Sequence, residues 1–190
     1  MVVGFRAFVC LLLTLACLAL ASPASAQSAD EESLERKVKA AFLYKFTGYA
    51  DWPQVSFPQG DTPMVIAISG ADDVAAELAQ IVRGRQAGNH PIVVRRLKEG
   101  ESLAGVHMLF VGGVDRARVG AAIKAAQQRP VLVVSEVEGA LALGSAINFL
   151  IVDGRVRFEV SASSADRSGV KLSSRLLAVA HRPGISTVGP

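Results

Sequence analysis

Hydrophobic and polar positions along the chain fall into three regimes. From Ala7 to Ala21 every residue except Thr14 is apolar. A polar leader, Gln27–Asp30, then precedes a segment in which Leu34, Val38, Ala41, Phe42 and Phe46 recur at spacings of three and four. Glu35, Arg36, Lys37, Lys39 and Lys45 occupy its other faces, so it predicts an amphipathic helix ending near Gly48. Beyond the loop opened by Trp52-Pro53, short apolar runs alternate with helical patterns. Met64–Ser69 predicts a buried strand. Asp72 or Asp73 is placed to cap a helix in which Val74, Leu78, Ile81 and Val82 share a face. Gly84 and Gly88-Asn89 break the chain before a second strand, Ile92–Arg95. A turn over Glu99–Ala104 leads to a third, His107–Val111.

Gly112-Gly113 opens a helix from about Asp115 to Gln128, with Val119, Ala122, Ile123 and Ala126 inward. Arg129-Pro130 stops it ahead of a fourth strand, Val131–Ser135. Strands alternating with helices predict an α/β fold, a mixed, mainly parallel sheet with helices on both faces. The C-terminal third predicts a β-hairpin plus a helix. Ala146–Val152 and Arg155–Val160 flank Asp153-Gly154, a dipeptide suited to a two-residue turn. Leu172, Leu176, Val179 and Ala180 then share a helical face that ends at His181-Arg182-Pro183-Gly184.

Composition changes the reading of the first regime. Arg6, the apolar run and Ala24-Ser25-Ala26 follow the n-region, h-region and A-x-A order of a secretory signal peptide. The apolar core is shorter than the roughly 20 residues of a membrane span. Residues 1–26 are therefore expected to be a signal peptide cleaved after Ala26, leaving 27–190 as a single periplasmic domain. Both cysteines, Cys10 and Cys17, would leave with it, excluding a disulfide, thiolate catalysis and Cys-ligated metal from the mature chain. Loss of Arg6 takes the formal net charge from +3 to +2, with the signs interspersed, which points to no nucleic-acid partner.

Candidate chemistry is sparse. No G-x-G-x-x-G follows a strand, and Gly139–Ser145 has P-loop glycine spacing without the lysine. No G-x-S-x-G elbow occurs. His90, His107 and His181 are scattered, without metal-ligand spacing. No catalytic set, metal site or cofactor is expected. Asp30-Glu31-Glu32 reads as first-turn acids of the first helix. Gly112 and Gly113 lie at a strand-to-helix junction, where backbone N–H groups can meet an anion or simply make a tight turn. Lys171 and Arg175, one turn apart beside Ser173 and Ser174, offer either an anion pocket or a polar helix face. Phe42, Tyr44, Phe46, Tyr49 and Trp52 place five of the nine mature aromatics within eleven residues. Tyr44, Tyr49 and Trp52 lie outside the core-facing stripe and are of the type enriched where partners bind. Trp52-Pro53 can equally fold back to plug the core.

Lys39-Ala40-Ala41-Phe42-Leu43-Tyr44-Lys45-Phe46, with Trp52-Pro53 after it, resembles the opening of the YfiR-like family of exported bacterial proteins. Ile147-Asn148-Phe149, leading through Gly154 to Val156–Val160, resembles it too, as does Gly169–Leu177. The order and spacing match from about Lys37 to Ala180. The resemblance implies a periplasmic α/β protein without catalytic residues, acting as a homodimer. By the same analogy it binds the periplasmic sensory domain of an inner-membrane diguanylate cyclase of the YfiN type and represses it, lowering cyclic-di-GMP and biofilm output. An outer-membrane lipoprotein of the YfiB type is the partner that would sequester it. Ala67 and Val106 stand where the resemblance places cysteines, so redox sensing through disulfides is not expected here. The competing reading is a periplasmic small-molecule-binding protein using the carboxyl edge of the parallel strands, near Gly70, Gly112-Gly113 and Ser135.

Overall fold

A computed structural model describes residues 24–113 and 115–182, with side chains from Ser28 onward. The expected signal segment up to residue 23, with both cysteines, lies outside the described residues, as does Pro183-Gly184. The chain divides into two compact units, one ending at Leu34 and one beginning at Glu35. The described part of the first unit is the opening of helix α1 (Ala24–Phe46). No glycine or proline interrupts the sequence between Ala24 and Thr47, so helix-compatible residues run without a break. The expected polar leader, Gln27–Asp30, is consequently inside the helix, and the expected first-turn acids, Asp30-Glu31-Glu32, lie beyond its first turn. At the other end the Thr47 hydroxyl donates to the Tyr44 carbonyl, and the Gly48 and Tyr49 N–H groups close the last turn.

The second unit is built on a seven-stranded sheet of order β3-β4-β2-β5-β6-β7-β8. Its strands are β2 (Met64–Ser69), β3 (Gln86–Ala87), β4 (His90–Arg96), β5 (Met108–Val111), β6 (Leu132–Ser135), β7 (Ile147–Val152) and β8 (Arg155–Val160). The five from β4 to β7 are parallel, and β3 and β8 are antiparallel edges. In chain order the parallel strands lie 2-1-3-4-5, a doubly wound arrangement that reverses direction between β2 and β5. The β7–β8 hairpin turns at Asp153-Gly154, both with positive φ, as a type I′ turn requires. The fold class is thus the expected one.

Helices cover both faces. On one, α1, α2 (Asp72–Ile81), α5 (Ala162–Arg167) and α6 (Ser174–Val179) pack Leu43, Phe46, Leu78, Ala165 and Leu176 onto Ile66, Ile68, Phe110 and Phe149. On the other, α3 (Arg116–Ala126) and α4 (Ala140–Leu143) set Val119, Ala126 and Ala140 against Ala67, Leu109, Val111 and Val133. A separate two-stranded ladder pairs β1 (Ala50–Asp51) with β9 (Lys171–Leu172).

Several local expectations are corrected. The buried stripe of α1 is Lys39, Ala40, Leu43 and Phe46, continued by Thr47 just past its end, rotated from the expected one, and Leu34 is exposed. The N-cap of α2 is Ala71; Asp72 and Asp73 are first-turn acids, favourable there through the helix dipole. The expected C-terminal helix is two elements. Leu172 is in strand β9, Ser173 caps α6, and Val179 is 70 % exposed. Pairing with β1 overrides the helical spacing, because it satisfies backbone groups that the helix would otherwise have held.

Candidate interaction site

α1 carries the aromatic cluster from one edge of the sheet to the other. Lys39 reaches Glu136, which follows the carboxyl end of β6. Past the helix, the Trp52 indole N–H donates to the carbonyl of His107 at 2.9 Å, just before the amino end of β5. Tyr49 and Trp52 therefore lie toward the amino edge, while Gly112 and Gly113 lie at the carboxyl edge.

The aromatic residues divide by packing. Phe42 and Phe46 sit among Phe149 and Phe158, with ring centroids 5.1–6.1 Å apart, and close the core. Tyr44 is half-buried against that core, with the Arg85 guanidinium 5.1 Å from its ring centroid, a cation–π pair. Trp52 is half-buried too, and its one polar atom is already satisfied within the fold. Tyr49 is the exposed ring, at 39 %.

The β1–β9 ladder brings together residues that are 120 and 122 positions apart: Asp51 lies opposite Lys171, and Ala50 opposite Leu172. The Ser173 N–H donates to the Tyr49 carbonyl at 2.9 Å, extending the contact by one residue. Tyr49 and Lys171 are thus on one small ladder, and Arg175 follows in the first turn of α6. Lys171 is a strand residue, so the expected helical pairing with Arg175 is corrected. What the structure offers in its place is exposed Tyr49 next to a ladder that sets Asp51 opposite Lys171, with Arg175 following in α6.

Behind this surface, a loop is pinned by a histidine pair that sequence reading set aside. The Phe57 ring lies between the rings of His90 and His107, at 3.9 and 4.5 Å between centroids and within 15° of parallel. His107 accepts from the Val65 N–H through Nδ1 and donates from Nε2 to the Ser56 carbonyl. Burial pushes its pKa down, with the His90 charge adding to the effect and the bonds to backbone carbonyls opposing it. His90 Nδ1 donates to the Thr62 carbonyl at 2.8 Å.

The carboxyl edge is organised differently. The Gly113 N–H donates to Glu136 Oε1 at 2.6 Å, and the other Glu136 oxygen accepts from the Lys39 ammonium, which also bonds Glu35. Burial alone would lower the Lys39 pKa, but the bonds and charges of Glu136 and Glu35 outweigh it and raise the value. Gly112 donates its own N–H to the Ser69 carbonyl. At this junction the chain's own carboxylate stands where an anion would bind. Lys39 and Glu136 were missed because a charged residue on an amphipathic helix reads as solvated; the buried lysine reveals itself only once the stripe is known to rotate. Ser135 belongs to a buried polar chain instead, its hydroxyl donating to Asn148 Oδ1 at 2.9 Å, while Asn148 Nδ2 donates to Glu159.

Among the described residues no group of three or more His, Cys, Asp or Glu is arranged to hold a metal ion, and no helix is long and apolar enough to cross a membrane. No curated protein matches the chain. A family model described as YfiR/HmsC-like matches residues 36–181, and the chain therefore belongs to that family of periplasmic regulatory proteins of cyclic-di-GMP signalling.

Proposed function

We propose that the protein is a non-enzymatic repressor that binds the periplasmic sensory domain of an inner-membrane diguanylate cyclase and so lowers cyclic-di-GMP. The observation that carries the reading is family membership across nearly the whole second unit. The arrangement around the β1–β9 ladder supports it, because an exposed tyrosine next to a ladder carrying Asp51 and Lys171 combines an amphipathic anchor with charges that can select a partner surface. In this reading Tyr49 is the principal contact, Trp52 and Tyr44 hold the surface in shape, and Lys171 and Arg175 steer association. The reading extends to export by a signal peptide cleaved after Ala26, to a homodimer, and to sequestration by an outer-membrane lipoprotein of the YfiB type.

The test is a periplasmic crosslink and pull-down with identification of the captured protein, joined to a measurement of cellular cyclic-di-GMP in a deletion strain. A captured cyclase and a raised cyclic-di-GMP level support the repressor. An unchanged level with no cyclase captured overturns it. A second reading, small-molecule binding at the carboxyl edge, is favoured by one specific observation: Arg118, without a hydrogen-bond or ion-pair partner among the described residues, lines a cavity there.

A further inference from the structure

Winding reverses between β2 and β5, because the connection after β2 crosses one face of the sheet through α2 and the one after β5 crosses the other through α3. Open α/β sheets bind ligands outside the carboxyl ends of the strands at such a point. The two faces differ there. Toward α1, the Glu136 carboxylate already occupies the Gly113 N–H, so the chain supplies its own anion. Toward α3, the connection from β4 to β5 contains no helix, and a cavity of about 260 Å³ lies between that connection, β5 and α3.

The walls of the cavity are apolar. Leu97 and Leu103 come from the connection, Leu109 from β5, and Ala122 and Ala125 from α3, whose small side chains leave the space open. Arg118, one turn before Ala122, is the cation that α3 adds to its lining. Its guanidinium lies over Gly70: a Cβ at that position would stand 2.6 Å from Nη1, so the glycine is what lets the arginine lie there. Among the described residues the Arg118 side chain has no hydrogen-bond or ion-pair partner. Its half-buried fork of donors meets solvent and no protein acceptor, which leaves it free to take a carboxylate through two parallel bonds.

Size and charge narrow the ligand. The volume is below the roughly 300–1,000 Å³ of sites for drug-sized molecules, so the occupant is small. Lys98 and Arg118 line the cavity together with Glu99 and Glu101, so its charges balance and nothing there favours a ligand carrying several negative charges. We propose that this cavity binds a small monocarboxylate with an apolar body, its carboxylate on Arg118 and its body against the leucines and alanines. This goes beyond the partner-binding reading, and the binding needs no partner, so either can fail alone.

The experiment is calorimetric titration of the purified mature protein with octanoate, with octan-1-ol as the uncharged control, inorganic phosphate as the bare anion and palmitate as the long-chain source. Octanoate is expected to bind one to one. Octanol and palmitate are expected to bind about tenfold more weakly or worse, and phosphate not at all. Arg118→Gln is expected to weaken octanoate by about tenfold while leaving octanol unchanged, and Ala122→Leu to abolish both by filling the space. Circular dichroism and thermal melts establish that each variant is folded. A variant that fails to fold is replaced by Arg118→Lys or Ala125→Leu. Absence of octanoate binding, or binding indifferent to both substitutions, overturns the proposal. So does palmitate or phosphate binding as tightly as octanoate.

Discussion

The Lys39 ammonium on α1 closes on the Glu136 carboxylate, 97 residues further along the chain, and Glu136 in turn holds the Gly113 N–H. One side chain thus ties the first helix of the second unit to two strand ends of the sheet. Lys39 retains 9 % exposure, so its charge is largely removed from water and depends on its two carboxylate partners. Removing one member leaves the others poorly compensated. Lys39→Met is expected to destabilise the protein by about 2–4 kcal/mol, somewhat less than the value for a fully buried pair. A Lys39→Met/Glu136→Leu double variant is expected to recover part of that loss, measured as coupling in a urea-denaturation cycle. Strict additivity of the two substitutions would show that the pair does not act as a unit.

The same pair sets an alkaline limit. The Lys39 pKa is raised above its ordinary value of 10.5 by Glu136 and Glu35, against the opposing effect of burial. The folded state therefore binds the proton more tightly than the unfolded chain. The contribution is complete below pH 10.5 and disappears as pH rises through the folded value. Melting temperature measured from pH 9 to 12 (about the range in which lysines titrate) should fall more steeply for the parent than for Lys39→Met.

His107 sets an acid limit of the opposite sense. Its pKa is lowered from 6.5, chiefly by burial, so the unfolded chain takes up the proton first. Stability is complete above pH 6.5 and declines as pH falls from there toward the folded value. Geometry works in the same direction as burial: Nδ1 accepts the Val65 N–H, and a proton on Nδ1 would face that donor. His107→Gln should flatten the stability profile between about pH 5 and 6.5, where carboxylates contribute little. An unchanged slope would mean that His107 is not the group responsible.

Strand–helix alternation was legible because buried parallel strands read as continuous apolar runs, as at Met64–Ser69 and Val131–Ser135. Asp153-Gly154 was legible because a type I′ turn needs two positive φ values, which these residues tolerate. The β1–β9 ladder was not, since two-residue strands carry no periodicity and the pairing joins distant segments. Nor was the loop-pinning stack of His90, Phe57 and His107, whose members are separated by 33 and 50 positions in the chain. The candidate set fares likewise. Tyr49 and Lys171 become neighbours only through tertiary pairing, and the split between exposed Tyr49 and structural Trp52 depends on a bond to His107 that no local pattern announces.

Gly70 and Gly84 offer a matched test of crowding at the carboxyl edge. Both have positive φ, +73° and +71°. A Cβ on Gly84 meets nothing within 4 Å, whereas one on Gly70 would stand 2.9 Å from the Gly112 carbonyl oxygen as well as against Arg118. Gly84→Ala carries only the backbone cost of about 1 kcal/mol, and Gly70→Ala adds a backbone collision that takes the loss to about 2–3 kcal/mol. Equal effects on urea midpoints would show that the edge relaxes freely.

Tyr49 and Trp52 separate recognition from scaffolding. Trp52 packs on the core and donates to the His107 carbonyl, so Trp52→Ala opens a void and leaves that acceptor without its partner. A loss of about 2–4 kcal/mol is expected, with Trp52→Phe recovering the packing but not the bond. Tyr49 is exposed, and its truncation should change stability by less than about 0.5 kcal/mol. If the ladder surface is where the membrane partner docks, Tyr49→Ala will lower capture of the crosslinked partner while the melt stays put. Lys171→Glu should weaken capture further at low salt than at high salt, because exposed charges act through a screened field. Full capture by both folded variants would move the docking surface elsewhere on the domain, and full capture by Trp52→Ala is compatible with a purely structural indole.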